Sequence, residues 1–415
     1  MLYSKTTKFL IKKTFSKKSI RPISSNFVET AGFVPKIESY EYSNKKLLLL
    51  ADGKYMTYKD VNNASGRYSN ILNKQFGIQK GDTVLCRTSK TSDALSLYLG
   101  ILRLGATYVP LNPTYTKRET EHFVNDAKPK LIVTLNQKED KTFCDTSTVK
   151  HVLCEKQLAK DSTKFEPLLD VESASPDDVA CILYTSGTTG RPKGAMVTHA
   201  GLTANGQICT DIWRFQSNDR MVEHKELNKE SVKNMRVFIS GSAQLTPNVF
   251  EKFEQMTGHR ILERYGMTET LVSTSNPYEP VNQRIAGSVG KAAKGVEVRI
   301  NKEGVIEVKS PSLFKGYLNL PEKTKQEFTD DGYFITGDMG EKDDKGYVWI
   351  KGRQKDLIIS GGMNVYPTEV EEIVTSLFGE RIKECAVIVF ENNLIVLIQI
   401  FSKNSDDGKI AFFQY

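Results

Sequence analysis

The sequence predicts an α/β protein: sheets layered with helices, then a strand-rich region, then a small α+β unit at the C-terminal end. Three observations carry this reading. From about residue 46, short apolar runs alternate with longer amphipathic stretches. Beyond residue 295 the texture changes to short strands separated by tight turns. Residues 352–356, GRQKD, form a polar, charged break before a last stretch that regains apolar runs. With 415 residues the chain is long enough for two or three domains. The expected division is a leader over 1–28, a large N-terminal domain over 29–354 with a β-rich subdomain, and a partial C-terminal domain over 355–415.

The elements follow in order. Residues 57–76 read as a helix with Val61, Tyr68, Ile71 and Leu72 on one face. A strand over 83–87, a helix over 92–104 closed by Gly105, and a strand over 106–110 come next. Residues 117–127 read as a helix, and 131–135 and 179–183 as strands. In the later region strands are expected over 296–300, 304–309, 333–336, 347–350 and 357–359.

Hydrophobic residues at 39%, charged residues at 26% and a mean hydropathy of −0.38 exclude wholesale disorder. No apolar run approaches the roughly 20 residues of a membrane-spanning helix. The net charge of +7 invites a nucleic-acid reading, but its location argues against one. Seven of the 57 basic residues (Lys5, Lys8, Lys12, Lys13, Lys17, Lys18 and Arg21) lie in the first 28 positions, which hold no acid; the remainder match the 50 acidic residues. That leader is also rich in Ser and Thr, with Phe9, Leu10, Ile11 and Phe15 between its lysines. It reads as a mitochondrial presequence directing the chain to the matrix; the alternative is a basic tail that binds RNA or acidic lipid. Six cysteines without CxxC spacing and only five histidines signal neither a disulfide frame nor a zinc cluster.

The strongest local signal is the stretch 184–194, YTSGTTGRPKG, after the apolar strand over 179–183. Hydroxyls from Thr185, Ser186, Thr188 and Thr189, close backbone approach at Gly187 and Gly190, and the cations Arg191 and Lys193 suit a polyphosphate. The order differs from GxxxxGK[ST], so this is not a Walker A loop. The stretch resembles the phosphate loop of the adenylate-forming superfamily, which includes acyl-CoA synthetases, luciferases and peptide-synthetase adenylation domains. Further matches follow in the superfamily's order: RYGMTET over 264–270, YFITGD over 333–338, GRQKD over 352–356 and GGMNVYPTE over 361–369. The resemblance covers about residues 46–400. It implies an adenylate-forming fold and a ligase that uses ATP, Mg²⁺ and coenzyme A, with small molecules rather than nucleic acid as partners.

By the same resemblance, the loop with Lys193 grips the β- and γ-phosphates, Glu269 helps hold Mg²⁺, and Thr268 offers its hydroxyl to the α-phosphate. Tyr265 gives an aromatic face to adenine, Asp338 accepts the ribose hydroxyls, and Arg353 adds a ribose contact. Lys355 is the hinge, and Gly361 with Gly362 line a pantetheine tunnel. Each role has a physical reason: attack of a carboxylate on an α-phosphate requires neutralised charge and a weak nucleophile held in line.

Residues 263–278, 283–290 (QRIAGSVG) and 314–324 (FKGYLNLPEKT) resemble the malonyl-CoA synthetase branch. That resemblance implies activation of malonate, or its methyl homologue, for mitochondrial fatty acid metabolism. A dicarboxylate needs a cation for its distal carboxylate, and Arg284 first, then Arg236, are the expected forks; the bland reading of each is a structural ion pair.

The chain also departs from the superfamily. Near 220–225 a long segment holding a histidine-bearing motif and part of the acyl pocket is missing, and the chain stops at Tyr415, before the position of the superfamily's late lysine. A second reading is therefore a truncated product that binds nucleotide without turnover, and a third is a ligase for a different carboxylic acid.

Overall fold

The computed structural model describes residues 11–12, 43–50, 52–135, 137–143, 149–185, 191–216, 219, 227–243, 245–360, 363–378, 382–390, 393–400 and 409–414. The chain groups into two compact units.

One unit holds residues 18–206 and 311–326. Its first long helix, α1 (Tyr58–Phe76), starts at a capping box in which the Thr57 hydroxyl accepts from the Asp60 amide and the Asp60 carboxylate accepts from the Thr57 amide. It stops at Gly77, whose φ of 62° is the left-handed conformation that glycine adopts without strain. Strand β1 (Thr83–Arg87), helix α2 (Ser92–Arg103), strand β2 (Thr107–Pro110), helix α3 (Lys117–Ala127), strands β3 (Leu131–Thr134) and β4 (His151–Cys154), helix α4 (Glu155–Ser162) and strand β5 (Val179–Thr185) follow. The expected helices and strands of this region form within one residue of their predicted ends, except that β5 runs two residues longer.

The five strands run parallel in the order β5-β2-β1-β3-β4. Strand β6 (Lys193–Thr198) adds antiparallel to β5, and the short strand Gly316–Tyr317 adds to β6, which brings residues 311–326 into this unit. Alternation divides the core. Val84, Leu131 and Val133 pack with Tyr68, Ile71, Leu72, Leu97 and Ile101 of α1 and α2, while Leu85, Val109 and Ile132 pack with Phe123 and Val124 of α3. Both faces are covered, as a parallel sheet requires.

The strand order reverses at β1, the place where an open parallel sheet commonly receives a ligand beyond its C-terminal ends. Here that place is filled. Arg87, the last residue of β1, meets buried Asp140 through two hydrogen bonds of 2.6 and 2.9 Å and also donates to the carbonyls of Pro113 and Tyr115.

The other unit holds the described residues of 207–310 and 327–415, with Ile11 and Lys12, which pair antiparallel with Val237 and Met235. Helix α5 spans His199–Trp213. This unit contains β7 (Ile239–Ser240), α6 (Pro247–Thr257), β8 (Leu262–Met267), β9 (Leu271–Ser275), β10 (Gly290–Ala292), β11 (Glu297–Ile300), β12 (Val305–Lys309), β13 (Phe334–Lys342) and β14 (Tyr347–Arg353). They form one sheet in the order β7-β8-β9-β10-β14-β13-β12-β11. Its core is Leu262, Val272, Val298, Ile306, Val308 and Val348, with Trp213 donating from Nε1 to the Ser275 hydroxyl.

The β texture expected beyond residue 295 therefore begins earlier, at β8. Strands β8 and β9 carry Glu263, Arg264, Ser273, Thr274 and Ser275, a composition that hides a strand from hydropathy patterning. Tertiary bonds make their burial affordable: the Thr274 hydroxyl donates to the Val289 carbonyl at 2.7 Å and the Ser273 hydroxyl to Thr270 Oγ1 at 3.0 Å. The described residues beyond 355 follow the eight-stranded sheet in the chain. They contribute α7 (Pro367–Phe378) and the antiparallel meander β15 (Ile382–Phe390), β16 (Asn393–Ile400) and β17 (Lys409–Gln414).

The buried Arg87–Asp140 pair generates a stability prediction. Asp140→Ala leaves a guanidinium buried without its carboxylate and is expected to cost about 3–5 kcal/mol in urea unfolding, whereas Asp52→Ala at the exposed Lys54–Asp52 pair is expected to cost under about 1 kcal/mol.

Candidate active site

A cavity of about 270 Å³ opens in the eight-stranded unit, lined in part by Ser242, Arg264, Tyr265, Met267, Asp338 and Arg353. Its floor is set by local backbone constraints. Strand β8 pairs with β9 through a register shift between Tyr265 and Gly266. A Cβ at position 266 would lie 1.7 Å from the Leu271 carbonyl oxygen, so only glycine permits this crossing. The turn that follows holds Thr268, half-buried, and Glu269, buried; the Thr270 amide donates to the Met267 carbonyl, and the Met267 amide to Thr270 Oγ1.

Asp338 is the centre of the cavity's polar wall. Register places it opposite Arg353 across β13 and β14, and the Arg353 Nε lies 2.7 Å from Oδ1. The Tyr265 hydroxyl donates to Oδ2 at 2.6 Å. From behind, the Asp338 amide donates to Thr336 Oγ1, whose hydroxyl donates to the Ile306 carbonyl. Burial raises the pKa of Asp338, opposed first by the Arg353 charge and then by the Tyr265 hydrogen bond. Burial also pushes the Tyr265 hydroxyl well above the usual tyrosine range, with the Asp338 charge acting in the same direction. Each carboxylate oxygen retains a further lone-pair direction, so the group can accept two more hydroxyls, as a ribose diol would supply. The three residues expected from sequence around adenine and ribose (Tyr265, Asp338 and Arg353) are thus brought together.

On the cavity's other side, the Arg264 guanidinium lies against Gly241, where a Cβ would sit 2.4 Å from its Nε. Ser242 borders the same space with φ at 72°, a conformation rare for a residue with a side chain and typical of functional loops. Neither Arg264 nor Ser242 stood out as a ligand-facing residue in the sequence; the GSA stretch 241–243 before α6 was the available signal.

The phosphate-loop residues Ser186, Gly187, Thr188, Thr189 and Gly190, and the tunnel glycines Gly361 and Gly362, lie outside the described residues. The loop's flanks belong to the other unit. Thr185 ends β5 and pairs in register with Lys193, which begins β6, so the loop closes an antiparallel hairpin. The Lys193 ammonium sits 4.1 Å over the Tyr317 ring. His122 Nε2–H donates to the Pro192 carbonyl at 2.9 Å, and the Tyr184 hydroxyl to Asp126 at 2.8 Å, so side chains of α3 anchor both legs.

The two arginines expected to receive a distal carboxylate are otherwise engaged. Arg284 is buried, and its Nε, Nη1 and Nη2 donate to the carbonyls of Pro277, Arg260 and Tyr278 at 3.0, 2.6 and 2.6 Å. Arg236 grips Asp219 at 2.5 and 3.1 Å and donates to the Trp213 carbonyl. Both are braces of local chain turns, which corrects the expectation of a free fork at either position. Lys355 stands in the short turn Gln354–Asp356, half-exposed, 3.9 Å from Asp356.

Among the described residues no group of three or more His, Cys, Asp or Glu could hold a metal. The implied Mg²⁺ does not need one: it takes one or two carboxylates together with phosphate oxygens and water, and the buried Glu269 supplies such a carboxylate.

The family model for AMP-binding enzymes matches residues 38–228 and 218–318. The chain is 28% identical to a malonate–CoA ligase of Arabidopsis thaliana over 92% of its own length and 81% of that protein. That alignment runs over 501 positions, more than the 415 residues of the chain, so it opens gaps opposite this sequence. Among solved structures, ATP-bound MatB from Rhodopseudomonas palustris matches with a TM-score of 0.78 at 34% identity, covering 85% of this chain and 84% of that one. An o-succinylbenzoate CoA synthetase of Bacillus subtilis in complex with its acyl-adenylate matches in fold, at a TM-score of 0.76 and 22% identity, over 87% of both chains.

The Asp338 wall carries a pH prediction. Arg353→Met removes the largest force opposing the raised pKa of Asp338. The acceptor form is present above that pKa and lost as pH falls through it, so the acid limb of adenine-nucleotide binding, followed with a fluorescent ATP analogue, is expected to move to higher pH. Tyr265→Phe is expected to move it in the same direction by less.

Proposed function

The chain belongs to the AMP-binding enzyme family and is an ATP-dependent acid–CoA ligase, and from that premise we propose that its acid is a short dicarboxylate, malonate or its methyl homologue. The observation that carries the substrate class is the likeness to a malonate–CoA ligase across 92% of the chain, joined to 34% identity with an ATP-bound MatB structure.

In this reading a carboxylate oxygen of the acid attacks the α-phosphorus of ATP, the bond to the bridging oxygen breaks, and pyrophosphate leaves. The thiol sulfur of coenzyme A then attacks the acyl carbon, its proton passes to solvent, and AMP leaves. Tyr265, Asp338 and Arg353 orient the nucleoside, and Thr268 meets the α-phosphate. Thr185, Lys193 and the loop residues 186–190 neutralise the outgoing phosphates. Glu269 would hold Mg²⁺ together with the phosphates, and the bound cation would supply positive charge beside the phosphate oxygens. Lys355 is the proposed pivot that replaces adenylation groups with the coenzyme A tunnel at Gly361 and Gly362.

The test is pyrophosphate release from ATP and Mg²⁺, with and without coenzyme A, on malonate, acetate and a long-chain fatty acid. Malonate-dependent release with thioester formation is the expected result; release only with another acid would replace the substrate. The gaps in the malonate–CoA ligase alignment favour a second reading, nucleotide binding without turnover. A folded protein that binds the ATP analogue yet releases no pyrophosphate would establish it.

We also propose import into the mitochondrial matrix, supported by the acid-free basic leader. A fluorescent protein fused behind residues 1–42 is expected to enter mitochondria and the same fusion with Lys5, Lys8, Lys12, Lys13, Lys17, Lys18 and Arg21 changed to Gln to remain outside. Equal distribution of the two would sink the proposal.

A further inference from the structure

We propose that Tyr317 is a positioning residue for the phosphate-binding cation: its ring holds the Lys193 ammonium in place, so that Tyr317 sets the affinity for the β- and γ-phosphates without touching them. This rests on the reading above in which Lys193 meets those phosphates. Tyr317 lies outside the stretch 184–194 and reaches it only through the sheet.

The backbone fixes where the ring can be. The short strand Gly316–Tyr317 pairs antiparallel with β6, which Lys193 begins, and sets Tyr317 opposite Ala195. The Leu318 amide donates to the Gly194 carbonyl at 2.8 Å, next to Lys193 in the chain. On its other side the Tyr317 amide donates to Thr324 Oγ1 at 2.9 Å, and a Cβ at Gly316 would lie 2.8 Å from Thr324 Cγ2, so this segment is seated directly against Thr324. Tyr317 is buried, with the Phe314 ring edge-on at a centroid distance of 4.8 Å. Over the ring so fixed stands the Lys193 ammonium, 4.1 Å from the centroid.

The chemistry of that contact suits a polyphosphate. A lysine has a flexible four-carbon stem, and ordering it when a ligand arrives costs free energy. An aromatic face orders it beforehand through the ring quadrupole. Unlike a carboxylate, the ring carries no net charge, so the positive charge it holds is not neutralised and stays available to an anion.

ATP and AMP share the nucleoside and the α-phosphate and differ in the β- and γ-phosphates, so the pair of affinities reads this contact. Both are measured by calorimetry with Mg²⁺, without a carboxylic acid, in wild type, Tyr317→Leu, Tyr317→Phe, Lys193→Gln and the double variant Tyr317→Leu/Lys193→Gln. Mono- and trifluorinated phenylalanine at position 317 drain the quadrupole at nearly constant shape, which keeps the test independent of whether Tyr317→Leu folds. Tyr317→Leu is expected to weaken ATP about 5- to 10-fold and AMP by under about twofold, while Tyr317→Phe keeps ATP within about twofold of wild type. ATP affinity is expected to fall stepwise with fluorination, and the double variant to bind ATP no more weakly than Lys193→Gln. Equal weakening of ATP by Tyr317→Leu with and without Lys193, equal loss of ATP and AMP, or affinity indifferent to fluorination would assign the ring to packing and overturn the proposal, leaving Lys193 on the phosphates. Unchanged ATP affinity in Lys193→Gln would overturn both the proposal and the phosphate role it rests on.

Discussion

A buried carboxylate holds the candidate site together. Asp338 sits on β13 between the Tyr265 hydroxyl from β8 and the Arg353 guanidinium from β14, and thereby ties three strands of one sheet at a single point. A charge placed there is costly unless its lone pairs are satisfied. Thr336 braces the Asp338 backbone and the two donors hold its side chain, so the oxygens are fixed in direction before any ligand arrives. Under the proposed function, preorganisation of this kind spares a nucleoside diol the cost of ordering its own receptor.

The surrounding backbone is arranged to the same end. Gly266 lets β8 cross close to the Leu271 carbonyl, which sets the turn carrying Thr268 and Glu269. Gly241 and the left-handed Ser242 open the wall beside Arg264. One left-handed residue and two positions that admit no side chain thus sit at this cavity, and the packed Ile306, Val308 and Val348 of the same sheet supply the rigidity that tolerates them.

The arginines show why residue type alone assigns no role. Arg236, Arg264 and Arg284 are chemically identical and lie within one stretch of sequence. One grips Asp219, one fastens a turn through three carbonyls, and one reaches the cavity without an acid. Which of them is available to a ligand depends on the location of Asp219, Pro277 and Gly241 in space.

Much of the fold was legible because local physics dictates it. Short continuous apolar runs at 83–87 and 131–135 mark strands of a sheet covered on both faces, and the structure adds reciprocal caps at Thr57 with Asp60 and Thr116 with Glu119. The ordered motifs, through the family resemblance, pointed to Tyr265, Asp338 and Arg353, and the structure places these three side chains against one another. Strands β8 and β9 escaped notice because buried Ser, Thr and Glu break their apolar pattern, and Ser275, Glu263 and Thr274 are bonded to Trp213, Leu245 and Val289, distant in the chain. Arg284 was misread, and Arg264 passed over, for the same reason: a guanidinium is committed or free according to the carbonyls and carboxylates that tertiary structure brings to it. Sequence determined which elements form and which chemical groups are present; only the tertiary structure decided which of those groups remain available, because hydrogen-bond partners are set by distance in space and not along the chain.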